Sequence, residues 1–257
     1  MMKRLTFILL LLASAFTAGA QQTQIVAHRG YWDLPGCSEN SIASLREAQR
    51  FGCWGSEFDV HLTADDVVVV NHDRTIGGTN IQTSPFSKVR AHYLSNGEPV
   101  PTLDEYLSQG ALDSDCVLVL EMKEHKTVDR EARLVELCLA ALKAHGLYDP
   151  SRVIFISFSH FICKKLAVEA PQFTTQYLEG DLSPKQLHEE GIAGIDYHMS
   201  VFRKHPEWVA EAHALGMSVN VWTVNRERDI REMIALGVDQ ITTNDPALVR
   251  RLIEEKK

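Results

Sequence analysis

A (β/α)8 barrel is the fold this sequence predicts, and three observations carry it. Short β-like runs alternate with helical stretches along the whole chain after the first 20 residues. Nine strand runs reduce to eight parallel ones once a single close pair is read as an antiparallel hairpin. No composition break, linker or repeat of about 20–50 residues divides the sequence. An open doubly wound sheet competes, but no glycine-rich phosphate loop follows the first strand.

The strand runs are 24–28, 55–61, 67–71, 117–122, 153–157, 174–178, 193–197, 218–223 and 239–242. Only Ala64, Asp65 and Asp66 stand between the second and third, whereas a parallel crossover needs about a dozen residues, so these two form the hairpin. Helical stretches follow at 41–51, 102–109, 128–145, 160–169, 184–190, 206–215, 226–236 and 246–256. Thr102 with Glu105 three residues on is a capping-box pattern, Gly146 is a stop signal, and Pro246 fits the first turn of the last helix. The irregular stretch at about 74–101 reads as a small insertion after strand two, over the barrel mouth.

The N-terminus follows another plan. Lys3 and Arg4 precede an apolar run, Leu5 to Leu12, and Ala18-Gly19-Ala20 is a small-residue cleavage pattern. Residues 1–20 are therefore expected to be a secretory signal peptide, leaving 21–257 as a single domain that is periplasmic or secreted. The apolar run is short of the roughly 20 residues that span a bilayer, and no later run reaches that length. No cysteine follows the cleavage pattern, so no stable membrane anchor is expected. The chain's formal charge is −8, and losing Lys3 and Arg4 takes it to −10. Such a balance disfavours nucleic acid and anionic lipid surfaces as partners.

Five cysteines (Cys37, Cys53, Cys116, Cys138 and Cys163) include no CxxC pair, and the last three sit in apolar patterns as small hydrophobes. A chain of this size buries an adequate core without cross-links, so no structural disulfide is expected. Cys37–Cys53 is the one pairing worth testing.

In such barrels the chemistry gathers at the C-terminal ends of the strands. Side chains alternate along a strand, so in Glu57-Phe58-Asp59-Val60-His61-Leu62 the apolar residues share one face and Glu57, Asp59 and His61 the other. Two carboxylates about 7 Å apart at a half-buried mouth are costly unless a cation neutralises them. Glu121 and Lys123 rise on the inner face of a neighbouring strand, so Glu57, Asp59 and Glu121 form an oxygen-only donor set. One divalent cation, Mg²⁺ or Ca²⁺, suits it better than zinc. Lys123 beside it can hold an anionic ligand. A hairpin turn centred on Asp65-Asp66 pairs Asp59 with His72 and returns that histidine to the level of the ion. His28 and Arg29 end the first strand: one titrates near neutral pH, the other offers a planar fork for phosphate. Two imidazoles, two cations and three carboxylates on one rim suit cleavage of a phosphodiester. His61 is expected to project beyond the rim, outside the site. Asp113 and Asp115 read as a turn; His145, His160, His188, His205 and His213, and the terminal Glu254–Lys257 run, read as solvated surface.

These motifs, in order, resemble the glycerophosphodiester phosphodiesterases. The resemblance covers essentially 24–250 and rests on His28-Arg29-Gly30, Glu39-Asn40, Glu57-x-Asp59-Val60 with Thr63 and Asp65, His72-Asp73, Pro101-Thr102-Leu103, Glu121-x-Lys123 and Trp222-Thr223. It implies a (β/α)8 barrel with a metal-dependent site, belonging to the wider phosphatidylinositol-specific phospholipase C-like superfamily. His28 and His72 are then the acid–base pair, and Glu57, Asp59 and Glu121 the metal ligands. Arg29 and Lys123 would contact phosphate, Glu39 and Asn40 would support them, and Trp222 would wall the pocket. The implied reaction hydrolyses glycerophosphodiesters, a small-molecule substrate, to sn-glycerol 3-phosphate and an alcohol. A lysophospholipid or another phosphodiester is the alternative; a glycoside hydrolase with paired glutamates, or a non-catalytic phospho-ligand binder, fits the residues less well. One departure stands out. Where the family has Thr-Asp-x-Pro, this chain reads Thr243-Asn244-Asp245-Pro246, and the expected effect is structural, with the chemistry retained.

Overall fold

The computed structural model describes residues 22–255 except Ser114. The expected signal peptide, residues 1–20, lies outside them. The chain starts with β1 (Gln24–Ala27), α1 (Ile42–Phe51) and β2 (Gly55–Leu62), then folds back into β3 (Val68–Val70). The insertion carries a two-stranded ribbon, β4 (Thr75–Ile76) and β5 (Thr79–Asn80), a 3-10 turn at Ile81–Thr83 and α2 (Phe86–Val89). Strict alternation then resumes with α3 (Leu103–Gly110), β6 (Val117–Met122), α4 (Val128–Ala144), β7 (Val153–Ser157), α5 (His160–Glu169), β8 (Thr175–Tyr177) and α6 (Pro184–Glu189). It ends with β9 (Gly194–His198), α7 (Met199–Lys204), α8 (Glu207–Ala214), β10 (Ser218–Trp222), α9 (Glu227–Leu236), β11 (Gln240–Thr243) and α10 (Pro246–Glu254).

Eight of these strands pair parallel in the order β1-β11-β10-β9-β8-β7-β6-β2, and β1 also pairs with β2, which closes the barrel. Alternation sorts the side chains. Phe58, Val60 and Leu62 of β2 and Leu118, Leu120 and Met122 of β6 pack outward against Leu103, Tyr106, Leu134 and Cys138 of α3 and α4. Their inward neighbours Val117 and Val119 join Val26, Ile154, Ile156 and Leu178 in a separate apolar plug inside the barrel. Each such aliphatic side chain taken from water contributes about 1.5–3 kcal/mol, which fixes strand register because a slip of one residue would exchange plug and outer layer. Glu57, Asp59 and Glu121 share these inward faces: Glu57 is the register partner of Val119, and Glu121 of Asp59 on one side and Ile156 on the other.

The hairpin register differs from the expectation by one residue. Val60 faces Val70, His61 faces Val69 and Leu62 faces Val68, so Asp59 lies across from Asn71, whose N–H donates to the Asp59 carbonyl at 3.0 Å, and not from His72. The turn is a three-residue loop whose last member, Asp66, takes a left-handed φ of 64°. The Thr63 hydroxyl bonds both Asp65 and the Val67 N–H, which centres the turn on Asp65.

The stretch read as an irregular insertion has its own small core of Ile81, Val89 and Val100 packed on Val69 of β3. Glu98, at its far end, accepts from the Ile42 and Ala43 N–H groups at 3.0 and 3.2 Å, capping the free amides of α1 beside the Ser41 N-cap. The capping box at Thr102 and Glu105 is formed, and Glu105 also takes a two-pronged ion pair from Arg90 of the insertion at 2.6 and 2.7 Å. α7 was not anticipated: six residues give too little periodicity to read, and the His198 side chain starts the helix by accepting from Ser200 N–H. The five cysteines are free thiols, Cys37 and Cys53 among them. Among the described residues no helix is long and apolar enough to cross a membrane.

Candidate active site

Neighbouring strands set the three carboxylates side by side. Asp59 of β2 and Glu121 of β6 are register partners, Glu57 is one step lower, and one oxygen from each lies within 4.8 Å of the others. All three are buried. Burial, then the charges of Asp59 and Glu121, raise the Glu57 pKa well above the usual carboxylate range; burial and Asp59 push Glu121 up to about 8. Burial opposes ionisation of Asp59 too, but the Lys123 ammonium and the amide of Asn40 outweigh it and hold that carboxyl below its ordinary pKa. Lys123 Nζ lies 2.7 Å from Asp59 and 2.6 Å from Glu121. Its charge serves two of the three acids, while Glu57 Oε1 is buried with no hydrogen-bond partner. An unpaired inward oxygen and an all-oxygen donor set fit a hard divalent cation held by Glu57, Asp59 and Glu121.

A strained loop supports the cluster. Arg29 and Asn40 both take left-handed φ values, 57° and 59°, and Gly30 between β1 and α1 takes 79°. For the two non-glycine residues this costs about 1–2 kcal/mol each, and the return is directional. Asn40 Nδ2 donates to Asp59 Oδ2 at 2.8 Å while its Oδ1 accepts from the Asp59 N–H at 3.0 Å. Arg29 N–H donates to Glu57 Oε2 at 2.7 Å. The Arg29 guanidinium reaches Glu39 at 2.7 Å and stands 3.8 Å from Asp59 Oδ2. Glu39 thus orients Arg29, and Asn40 orients Asp59.

The two histidines line the same cavity of about 230 Å³, with Lys123, Asp196 and Trp222. His28 Nδ1 donates to Asn244 Oδ1 at 2.6 Å, and its Nε2 lies 4.0 Å from Glu57 Oε2. Burial and the adjacent Arg29 charge lower the His28 pKa to about 4, so the ring is a neutral base with its free lone pair at Nε2. His72 is more open, and its Nδ1 donates to Asp73 at 2.8 Å. Trp222 forms a wall, its Nε1 donating to the Asp196 carbonyl at 2.9 Å and its ring edge-to-face with Phe158. Every residue singled out from the sequence is thus gathered around one cavity or bonded to its lining.

Comparison with known proteins agrees with that geometry. The model of the glycerophosphoryl diester phosphodiesterase family matches residues 28–248, a span that begins at His28 and takes in both histidines and all three carboxylates. This chain belongs to that family. A glycerophosphodiester phosphodiesterase of Caldanaerobacter subterraneus subsp. tengcongensis is 29% identical over 248 residues, covering 91% of this chain and 99% of the relative. The crystal structure of a glycerophosphodiester phosphodiesterase from Parabacteroides distasonis superposes with a TM-score of 0.90 at 41% identity, covering 93% of this chain and 99% of that one. A phosphodiesterase of Oleispira antarctica, solved with the product sn-glycerol-3-phosphate, superposes with a TM-score of 0.77 at 25% identity, covering 91% and 97%. Enzymes so named are phosphoric diester hydrolases acting from a (β/α)8 barrel.

Asp196 escaped the sequence reading, and Asn244 and His61, which it named, have partners it did not assign. Asp196 is buried at the cavity wall with Oδ1 unpartnered; burial and the nearby Glu121 charge raise its pKa well above the ordinary range. The signal was there: Ile195 and Tyr197 are the outward, apolar positions of β9, so Asp196 had to face inward. Asn244, where the expected effect is structural with the chemistry retained, accepts a hydrogen bond from His28 Nδ1. His61 does not project beyond the rim. The hairpin and the insertion cover it, leaving it 2% exposed, and burial lowers its pKa to about 4.

Proposed function

We propose that this chain hydrolyses glycerophosphodiesters to sn-glycerol 3-phosphate and an alcohol, with His28 and His72 as the acid–base pair and one Mg²⁺ or Ca²⁺ held by Glu57, Asp59 and Glu121. The observation that carries this reading is the meeting, in a single 230 Å³ cavity, of an oxygen-only acidic cluster with two imidazoles and two cationic side chains. The bound cation would supply positive charge against the phosphoryl oxygens. Lys123 and Arg29 add positive charge from the protein, already fixed by Asp59, Glu121 and Glu39. His28 keeps its Nδ1 hydrogen on Asn244, so Nε2 accepts the proton of the attacking water, whose oxygen bonds phosphorus as the bond to the alcohol oxygen breaks; where a neighbouring glycerol hydroxyl attacks first, water then opens the cyclic ester to the same product. His72 keeps its Nδ1 on Asp73, so Nε2 is the atom that delivers a proton to the departing alkoxide. The product-bound Oleispira relative supports the choice of product.

The basic and apolar pattern of residues 1–20 supports export, with the mature protein periplasmic or secreted. Cell fractionation with N-terminal sequencing tests it: a cytoplasmic product starting at Met1 would refute it.

A second substrate within the same chemistry has an observation of its own. A groove of about 790 Å³, walled by Trp32, Leu34, Pro35, Ile76, Tyr93 and Leu94, borders the site through Glu39 and Asn71, neighbours of Arg29 and His72. Its aromatic and aliphatic side chains offer the acyl chain of a lysophospholipid apolar surface beside the polar lining of Asp33, Ser38, Glu39, Asn71 and Ser95. One assay separates the readings: purified protein with Mg²⁺ or Ca²⁺ is given glycerophosphocholine, glycerophosphoethanolamine and a lysophospholipid, and products are identified by mass. Turnover of the first two, abolished by chelator, supports the leading reading. Turnover of the lysophospholipid alone supports the second, and no turnover of any diester refutes both.

A further inference from the structure

His61 is buried two residues from Asp59, and nothing described so far uses it. Its hydrogen bonds are fully determined by chemistry. Nε2 lies 3.1 Å from the His72 carbonyl oxygen, which can only accept, so Nε2 carries the ring hydrogen. Nδ1 must then accept, and Gln82 Nε2 stands 3.2 Å away to donate. The second hydrogen of that amide goes to the Glu124 carbonyl at 2.8 Å. Every donor in the chain has an acceptor, with one neutral tautomer throughout.

The target of this chain is the backbone of residue 72. β3 ends at Val70, and the segment beyond it is held on one side by Asn71, whose N–H bonds the Asp59 carbonyl and whose side chain bonds the Asp73 carbonyl at 2.7 Å. The His72 carbonyl is held by His61. Without that bond the His72 carbonyl loses its link through His61 to the insertion at Gln82 and the β6–α4 loop at Glu124, and only the bonds of Asn71 still hold the segment. The His72 ring is the more exposed of the two histidines lining the cavity, so the placement of its backbone decides where the imidazole stands.

We propose that His61 is a positioning residue: it fixes the His72 backbone, and through it the imidazole, and anchors that placement to Gln82 of the insertion. The inference rests on the assignment of His72 as a proton-transfer group. His61→Leu removes both bonds, whereas His61→Gln keeps an N–H donor at the same reach. Steady-state kinetics on glycerophosphocholine should show kcat down about 10–100-fold in His61→Leu with KM within about twofold, the loss expected when a reacting group is displaced by about 1 Å. His61→Gln should recover most of it. In a His72→Ala background, where there is no imidazole left to place, His61→Leu should cost less than about twofold more.

Unchanged kcat in His61→Leu overturns the proposal. So does a loss of equal size in both backgrounds, since His61 would then act on the carboxylates or on the fold. A fully active His72→Ala parent would refute the role of His72 itself, and the inference with it. Gln82→Ala, at a half-buried position away from the cavity, keeps the proposal testable should His61→Leu not fold: several-fold lower kcat supports it and wild-type kcat overturns it.

Discussion

Protons compete with the metal at this site, and the competition has a measurable size. In the metal-free protein Glu121 titrates near pH 8 and Glu57 above the ordinary carboxylate range, whereas in the unfolded chain both titrate near 4.5. Raised native values mean that the folded state holds protons the unfolded chain has released. Their contribution to stability is complete below about pH 4.5 and is lost as pH rises through each group's raised native value, about 8 for Glu121. A divalent cation must displace those protons to bind. Each one displaced makes log K rise by about 1 per pH unit, worth about 1.36 kcal/mol. At a hundred times Kd the ion stabilises the fold by about 2.7 kcal/mol, or about 5–11 °C in Tm for a domain of this size. At fixed ion concentration that increment should grow by about 3–5 °C per pH unit for each proton displaced as pH rises from 6 towards the Glu121 value of about 8. Thermal denaturation in Mg²⁺, in Ca²⁺ and in chelator, with calorimetry in two buffers of different ionisation enthalpy, reads both the shift and the proton count. An increment that is flat across that range, or absent altogether, would refute the assignment of Glu57, Asp59 and Glu121 as the ion's ligands.

Other consequences are simpler to check. His72→Ala should lower kcat on glycerophosphocholine by about two to four orders of magnitude with the metal-induced Tm shift intact; undiminished turnover would remove His72 from the mechanism. Asn244→Asp places a carboxylate 2.6 Å from His28 Nδ1 and should raise the His28 pKa from about 4 by about 1–3 units. A base works only when deprotonated, so the acidic limb of kcat/KM should move to higher pH, and an unmoved limb would show that His28 is not the titrating base. In Gly30→Ala the new Cβ would sit 2.3 Å from Ser44 Oγ at a φ of 79°, a clash with strain worth about 2–4 kcal/mol. Urea unfolding measures it, and a loss under about 1 kcal/mol would contradict the close approach of β1 and α1.

The barrel was legible because its determinants are local. Alternation puts Glu57 and Asp59 on one face whatever the rest of the chain does, and caps such as Thr102–Glu105 announce helices directly. The hairpin register was not. It depends on the Thr63 hydroxyl and on Asp66 accepting a left-handed φ, and an Asp-Asp pair reads equally well as a two-residue turn. His61 was misplaced for a related reason: alternation gave its face correctly, but the residues that cover it, Gln82 and the 81–83 turn, come from a stretch with no periodicity to read. Asn244 shows the same limit, for its meaning lies in a contact with His28 across 216 positions of sequence.

Glu98 leaves a consequence for engineering. Because its carboxylate finishes the first turn of α1, the stretch at 74–101 is no detachable ornament that could be traded between relatives to change what they hydrolyse. A transplanted segment lacking an acid at that point would leave two amides of the recipient helix bare, two and three positions from the asparagine that steadies Asp59. Loop swapping in this scaffold therefore has to carry its own carboxylate, or it will disturb catalysis while aiming only at selectivity.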